Sequence, residues 1–290
     1  MKITLLRASL LALSLTTILP MTTQAHRAWM LPSATVLSGA EPWLTVDAAV
    51  SNDLFYFEHQ PMRMDGIEVI APDGTEAKIE NASTGRYRST FDVKLTQKGT
   101  YKVTRVSENI NASYVVDGEL KHFRGTSETF ANEVPADAQD LQVAKTRSRL
   151  EVFVTSGNPS DTVLKTTGMG LELSPITHPN DLFAGETASF RLLSDGKPQA
   201  GTEVTIVPGG IRYRNQVNEI KTTTDQNGNF SVTWPAPGMY WLNASVSNIV
   251  RSQIATPSVP AGGAPTSPMS RPVNPGTRTS YTATLEVLPQ

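Results

Sequence analysis

Histidine supplies most of the metal-binding chemistry available to this sequence, because the chain has four histidines and no cysteine. The first of them, His26, follows Ala25, after which a signal peptidase is expected to cut. A mature chain that begins at His26 carries an α-amine and an imidazole on one residue, and these two groups can chelate one metal ion. A second imidazole would complete a T-shaped histidine brace, which favours copper, and a nitrogen-rich square-planar site also suits Ni(II). The alternative is that His26 is only a solvated chain terminus.

His59 is the second candidate ligand. It lies in an aromatic and then polar segment that is more typical of an ordered loop than of a strand. Glu58, Met62 and Met64 stand close to it, so hard, borderline and soft ligands occur together. The thioethers would favour copper, whereas imidazole alone leaves nickel, cobalt or zinc open. A packed loop in which methionine fills gaps in the core is the alternative interpretation.

The other two histidines are placed by their neighbours in the sequence. His122 follows the predicted Asp117-Gly118 turn, from which it could reach a site in the first half of the chain. We therefore include His122 with His26 and His59 as a candidate metal ligand, the alternative being an exposed strand histidine. His178 lies in the connection between the two predicted domains, where capping a turn is the simpler role, although a crevice between domains is a common ligand site.

The first 25 residues have the three-part layout of a secretory signal peptide. Lys2 and Arg7 form the basic start, an apolar run extends over residues 8–20, and Thr23 and Ala25 suit the −3 and −1 positions of a cleavage site. We expect the mature protein to lie in the periplasm of a bacterial envelope. No later segment approaches the roughly 18 to 20 apolar residues that a membrane-spanning helix requires.

Composition excludes several classes of function. The chain has 25 basic and 27 acidic residues and a net charge of −2, and this weak negative balance without a basic cluster argues against nucleic acid or anionic lipid as a partner. The absence of cysteine excludes disulfides, thiolate metal sites and cysteine nucleophiles. No nucleophile elbow, Walker loop, dinucleotide fingerprint or H-E-x-x-H motif is present. We therefore expect a binding protein and not an enzyme.

Short segments rich in β-formers alternate with turn residues along the chain, a pattern that favours antiparallel β-sandwiches. We predict an all-β protein of two sandwich domains, Ig-like or transthyretin-like, at residues 26–157 and 158–290. Asn132–Arg147 is the best candidate for a helix. Residues 253–278 are dense in Pro, Gly, Ser and Thr, which predicts a disordered loop. Alternation over Ser280–Val287 predicts a last strand.

The second half carries turn motifs with a family likeness. The patterns D-G-x-P-x-x-G, T-D-x-x-G-x-F and P-G-x-Y begin at Asp195, Thr224 and Pro237. Over Leu182–Ser247 the chain resembles the transthyretin-like or carboxypeptidase-regulatory type of β-sandwich. Such modules usually serve as scaffolds, so this resemblance implies a fold and little about function.

A second resemblance covers most of the mature chain. An H-x-x-W-M-L-P-S motif starts at His26, and a closing Y-x-A-x-L strand starts at Tyr281. Together with the two-sandwich layout, these motifs resemble the bacterial DUF4198 family, a domain of unknown function. That family is described as similar to periplasmic components of nickel or cobalt uptake systems, which implies metal handling. Only His26 carries over from this resemblance as a ligand, and without a membrane segment an uptake role would need a separate membrane partner.

These observations lead to one expected function and two alternatives. The expected function is that of a periplasmic protein that binds a nickel, cobalt or copper ion and serves its uptake or buffering. The first alternative is a structural or interaction module of the envelope with no catalytic role. The second is a copper enzyme that uses a histidine brace to activate oxygen, which would need an open coordination position beside His26.

Overall fold

A computed structural model describes residues 26–248 and 276–290. Within these ranges the chain is all-β, as predicted, with one α-helix, α1 (Ser127–Glu133), and two single 3₁₀ turns. None of the helices in the described part of the chain is long and apolar enough to cross a bilayer. The strands are β1 (Arg27–Pro32), β2 (Val36–Leu37), β3 (Trp43–Ser51), β4 (Gln60–Pro61), β5 (Ile67–Ile70), β6 (Ile79–Thr84), β7 (Ser89–Lys94), β8 (Gly99–Val116), β9 (Glu119–Gly125), β10 (Gln139–Ser156), β11 (Leu171–Pro175), β12 (Thr187–Ser194), β13 (Lys197–Pro198), β14 (Glu203–Pro208), β15 (Ile220–Thr223), β16 (Asn229–Thr233), β17 (Gly238–Ser247) and β18 (Gly276–Val287).

The strands form three sheets. The largest has nine strands in the order β15-β14-β17-β18-β10-β8-β5, with β2 beside β10 and β9 beside β8. A five-stranded sheet has the order β1-β3-β7-β6, with β4 beside β3, and a four-stranded sheet has the order β11-β12-β13, with β16 beside β12. The nine-stranded sheet is continuous across the two predicted domains because β10 and β18 pair in parallel, from Ala144 beside Gly276 to Val152 beside Thr284.

Each smaller sheet encloses a core against a different part of the large sheet. The first core lies between the five-stranded sheet and the β5, β8 and β10 strands, and it includes Phe91, Val103 and Val152. The second lies between the four-stranded sheet and β14, β17 and β18, and it includes Phe190 and Trp234. Every side chain named here is fully buried, so apolar burial stabilises both cores in a chain that has no cysteine for disulfides.

The two cores lie on opposite faces of the shared sheet. Leu150 of β10 belongs to the first core and is registered with Thr282 of β18. The neighbouring residue Tyr281 belongs to the second core. Successive side chains of a strand point to opposite faces, so the first core covers one face of the sheet and the second core covers the other. On one side of the parallel β10–β18 pair the first core covers one face of the sheet, and on the other side the second core covers the opposite face. We call this pair of strands the seam.

A buried charge network lies along this seam. Arg149 of β10 forms ion pairs with Glu151 at 3.3 Å and with Glu172 of β11 at 3.4 Å. Tyr281 donates a 2.9 Å hydrogen bond to Glu151. Burial is the main reason that the pKa of the Tyr281 phenol lies well above its ordinary value, and the negative charge of Glu151 raises that pKa further. The Thr167 and Gly168 amides donate to Glu172, which fixes that carboxylate at the β11 end of the network.

Local predictions had mixed outcomes. The Asp117-Gly118 turn is confirmed, because both residues have positive φ, 54° and 79°, as a type I′ hairpin requires. The helix predicted at Asn132–Arg147 is wrong, since most of that segment is β10, paired along its length with β8. The helix instead lies earlier, where Thr126 caps α1. Long-range strand pairing here overrides a weak local preference for helix.

The predicted signal peptide, residues 1–25, and most of the predicted loop, residues 253–275, lie outside the described residues. The end of that loop prediction is wrong at residues 276–278, because β18 begins at Gly276, four residues before the predicted strand. These residues pair with both neighbours of β18, as the contacts of Thr277 with Lys145 and of Arg278 with Ser247 show. Pairing on two sides gives strand structure to a segment whose composition is that of a turn.

Candidate functional site

His26 and His59 meet at one end of the five-stranded sheet. β3 lies between β1 and β4, with Arg27 beside Ser51 and Gln60 beside Val50. Each histidine immediately precedes one of the two flanking strands, so both lie at the same end of β3. Their rings stack with centroids 3.8 Å apart and planes inclined by 11°. The fold therefore brings together two candidate ligands that are 33 residues apart in the sequence.

The loop that carries His59 is fixed by its own backbone and by aromatic packing. Glu58 accepts hydrogen bonds from the amides of Asn52 at 2.7 Å and Asp53 at 3.0 Å, which closes the loop on itself. Phe55 and Phe57 contact the buried ring of Trp29 at 5.6 and 5.7 Å between centroids. The Oε1 oxygen of Glu58 is thus engaged by the backbone, and Glu58 does not join the two imidazoles in a potential metal site within the described residues.

The two methionines of this segment are part of the first core. Met62 is 5% exposed and belongs to that core, and Met64 packs against it. The structure therefore favours the gap-filling interpretation of these side chains over a thioether site. Within residues 26–248 and 276–290, no group of three or more His, Asp or Glu side chains could hold a metal ion.

The structure does not bring His122 to this pair. His122 is an exposed residue of β9, registered with Ser113 of β8. Ser113 lies eight residues beyond Arg105, which lines a cleft together with His26. At about 3.3 Å per residue, the strand carries His122 roughly 26 Å away along the sheet. His122 thus matches the alternative interpretation of an exposed strand histidine.

His178 has a structural position in the connection after β10. Its Nδ1 accepts a 3.1 Å hydrogen bond from the Asn180 amide, and its Nε2 lies 3.1 Å from the Thr100 hydroxyl. The accepting Nδ1 leaves the hydrogen on Nε2, which then donates to Thr100. Burial lowers the pKa of His178 from its ordinary 6.5, with nearby Asp161 and Asp181 opposing this effect. His178 caps a turn, as expected.

A cleft of about 900 Å³ opens beside His26. One wall is the start of β1, where Arg27 lies 5.7 Å over the ring of Trp241 and Trp241 donates a 3.0 Å hydrogen bond to the Ala28 carbonyl. The floor is a part of the nine-stranded sheet on the same face as the first core. Strand register places one row of side chains across five strands, and the members of that row are Arg105, Leu150, Thr282, Asn243 and Thr205.

A second row, two residues further along, consists entirely of serine. It crosses β8, β10, β18 and β17 as Ser107, Ser148, Ser280 and Ser245. Ser107 and Ser148 are hydrogen-bonded at 2.7 Å. The next row begins with Asn109 and Thr146 and reaches Arg278 on β18. The floor beyond the edge of the five-stranded sheet is therefore made of hydroxyl and amide groups with arginines at its borders.

Five arginines border the cleft, but the side chains of Arg147 and Arg149 point to the opposite face of β10 from the floor residues Ser148 and Leu150. Arg147 and Arg149 form ion pairs with carboxylates. Arg27, Arg105 and Arg278 have no carboxylate partner among the described residues. Burial, followed by repulsion from nearby Arg63, lowers the pKa of Arg105, while Asp65 opposes this effect; a guanidinium remains protonated under all ordinary conditions. Glu219 is the single acidic residue among the lining residues described, and Lys221 pairs with it at 3.5 Å.

Sequence reasoning missed this surface. The signal was present as polar residues at every second position in strands that otherwise alternate with core residues, as in Arg278-x-Ser280-x-Thr282 and Asn243-x-Ser245. Such alternation also fits an ordinary solvated sheet face. What the sequence could not supply is the register that aligns these residues across four strands.

The fold and the site define an all-β protein with a histidine pair beside a polar cleft. The chain belongs to the DUF4198 family, described as a domain of unknown function, because the family model matches residues 23–248. No curated protein matches the sequence.

Three solved structures are similar to the chain at low TM-scores. The D0-D1 domain of Intimin has 14% identity, a TM-score of 0.22 and coverage of 89% of this chain and 97% of that one. A Salmonella alpha-2-macroglobulin reacted with methylamine has 13% identity, a TM-score of 0.23 and coverage of 89% and 14%. Dimeric latent PorU from Porphyromonas gingivalis has 12% identity, a TM-score of 0.22 and coverage of 92% and 21%. Likenesses at this level carry no argument about function.

Proposed function

We propose that this is a periplasmic, non-enzymatic protein that binds a first-row transition metal ion, with nickel, cobalt and copper as the candidates. His26 would supply its α-amine and imidazole, and His59 the third nitrogen. The observation that carries the proposal is the contact between these two rings at 3.8 Å. His122 is left out of the proposed site because it lies on β9, far along the sheet.

The two stacked rings can share an ion only after they separate and rotate. Imidazole–metal bonds are about 2.0–2.1 Å long for zinc, so two nitrogens on opposite sides of one ion are roughly 4 Å apart. Parallel rings direct their lone pairs side by side, and one ring must rotate before both converge on an ion. Both side chains are exposed, so the core does not oppose this rotation. The ion is cargo in this proposal, for buffering or for delivery to a membrane uptake system.

The first experiment is intact mass spectrometry of protein exported with its own leader, under native and then denaturing conditions. We expect a denatured mass that begins at His26 and one additional Ni, Co or Cu ion in the native spectrum. A chain that begins elsewhere, or one that begins at His26 and takes up none of these ions, would overturn the proposal and favour the envelope-module alternative.

Variants locate the ligands. We expect His26→Ala, His59→Ala and an added N-terminal residue each to lower metal affinity by at least tenfold in calorimetric titrations, because each removes a nitrogen ligand or the free amine. His122→Ala is the matched control, as another exposed histidine outside the site, and should bind like the unaltered protein. Equal losses in His122→Ala and His26→Ala would contradict the assignment. Oxygen-dependent turnover by the copper-loaded protein would favour the histidine-brace enzyme instead.

A further inference from the structure

The polar cleft beside β1 has a chemistry of its own that a bare metal ion does not explain. Its floor presents hydroxyl groups that can donate outward. Thr282 accepts a 3.0 Å hydrogen bond from Asn243 and donates to no described residue. The Ser280 hydroxyl also has no hydrogen-bond partner in the described ranges. Both groups lie on β18, in adjacent rows on one sheet face and about 6.6 Å apart along the strand.

Positive charge borders this floor on three sides. Arg27 lies at the β1 wall, Arg105 on β8 and Arg278 on β18. Arg105 and Arg278 are two strands and four residues apart, which places their Cα atoms about 16 Å apart. Long side chains at that separation can approach one ligand from two directions. Guanidinium groups bind carboxylates through paired N–H donors, and none of these three has a carboxylate partner within the described residues.

The surroundings select among ligand classes. On the floor between Arg105 and Arg278, away from the imidazole pair at the β1 wall, a bare divalent cation would be repelled by the guanidiniums. A neutral sugar would need an exposed aromatic face, but the Trp241 ring is 8% exposed and is covered by Arg27. A nucleic acid would need a longer basic track than one cleft of about 900 Å³. The volume falls in the range of small-molecule sites, and the donors fit a ligand with several carboxylates and hydroxyls.

We infer that the cleft binds a small polycarboxylate anion, with Arg105 and Arg278 pairing with carboxylates and Thr282 and Ser280 donating to its oxygens. Arg27, held over Trp241, closes the β1 side. This inference does not depend on the metal site, since none of these contacts uses an imidazole.

The test uses citrate as the probe and the mature chain freed of metal by passage over a chelating resin. Soluble chelators are avoided because they are themselves polycarboxylates. Calorimetric titration at low ionic strength should give saturable binding that weakens as salt is added. Arg278→Gln and Arg105→Gln should each lower citrate affinity by about tenfold, the effect of losing one charged hydrogen-bond donor pair. Arg124→Gln, which removes an exposed arginine of β9 outside the cleft, is the matched control and should bind citrate unchanged.

Arg278 is exposed, so Arg278→Gln keeps the test valid even where Arg105→Gln lowers folding stability. The inference would be overturned if citrate showed no saturable binding, or if Arg278→Gln and Arg124→Gln lost equal affinity. It would also be overturned if maltotriose competed with citrate as strongly as tricarballylate does. His59→Ala, which changes a metal-ligand candidate that does not line the cleft, separates the two proposals. It should keep full citrate affinity while losing metal affinity, so that either site can fail without the other.

Discussion

Replacing Arg149 with methionine tests whether the seam between the two cores depends on its buried ion network. Arg149 is 6% exposed, and its two carboxylate partners, Glu151 and Glu172, are 4% and 3% exposed. Its Nη2 also donates to Thr167 at 3.0 Å. Methionine fills a similar volume but leaves buried Glu172 without a counter-ion and Glu151 with only its 4.0 Å ion pair to Lys102. Breaking a buried pair in this way costs about 3–5 kcal/mol. At roughly 2–4 °C per kcal/mol, the melting temperature should fall by about 6–20 °C.

The control is two residues away on the same strand. Arg147 also pairs with a carboxylate, Glu108, but its side chain is 40% exposed. Solvent screening limits such a pair to about 1 kcal/mol or less, so Arg147→Met should shift the melting temperature by a few degrees at most. Circular dichroism melts of the two variants give the comparison directly. Equal shifts, or a more stable Arg149→Met protein, would refute the argument that uncompensated carboxylates dominate the loss. Adding Glu151→Gln and Glu172→Gln to Arg149→Met should recover part of it.

Two further predictions concern the elements that position the site. Burial lowers the pKa of His178 below its ordinary 6.5, so the stability from its neutral form is complete above about pH 6.5 and is lost as the pH falls toward the lowered value. Melting temperatures of His178→Gln should therefore decline less between pH 7 and pH 5 than those of the unaltered protein, and parallel declines would contradict this role. A Cβ at Gly209 would lie 2.9 Å from Phe55 and 3.1 Å from the Met239 carbonyl. Gly209→Ala should cost about 1–3 kcal/mol in chemical denaturation and weaken metal binding by moving the loop that carries His59, whereas unchanged affinity would show that the loop is anchored elsewhere.

Much of the fold could be predicted because its signals are local. Alternating strands, the Asp117-Gly118 turn and the glycine-containing turns of the second half each depend on residues that are neighbours in the sequence. The parallel pairing of β10 with β18 could not be predicted, because nothing within either strand specifies a partner on the far side of the chain. The helix predicted at Asn132–Arg147 failed for the same reason, since its partner β8 lies outside any local window.

The candidate site, too, could be predicted only in part from the sequence. His26 and His59 were identified by residue type, and the structure supplies their contact, which depends on both flanking strands pairing with β3. The same reasoning selects His122, but the structure places it away from His26 and His59. A hairpin turn reverses the direction of the chain without fixing how far its residues lie from another segment. The cleft arginines Arg105 and Arg278 had no distinguishing neighbours in sequence. Only the register across β8, β10 and β18 assembles them, and single-strand patterns carry no register.

The position of β18 also controls when the molecule can fold. Tyr281 of β18 donates a hydrogen bond to Glu151, which lies 130 residues earlier in the chain. Glu286 of the same strand accepts two hydrogen bonds from Thr35, which lies 251 residues earlier. A chain synthesised only as far as Asn248 leaves β10 and β17 each with an unpaired edge in the middle of the future sheet. Contacts of such long sequence separation form slowly. Completion of the sheet therefore waits for residues 276–287, which pair with both β10 and β17.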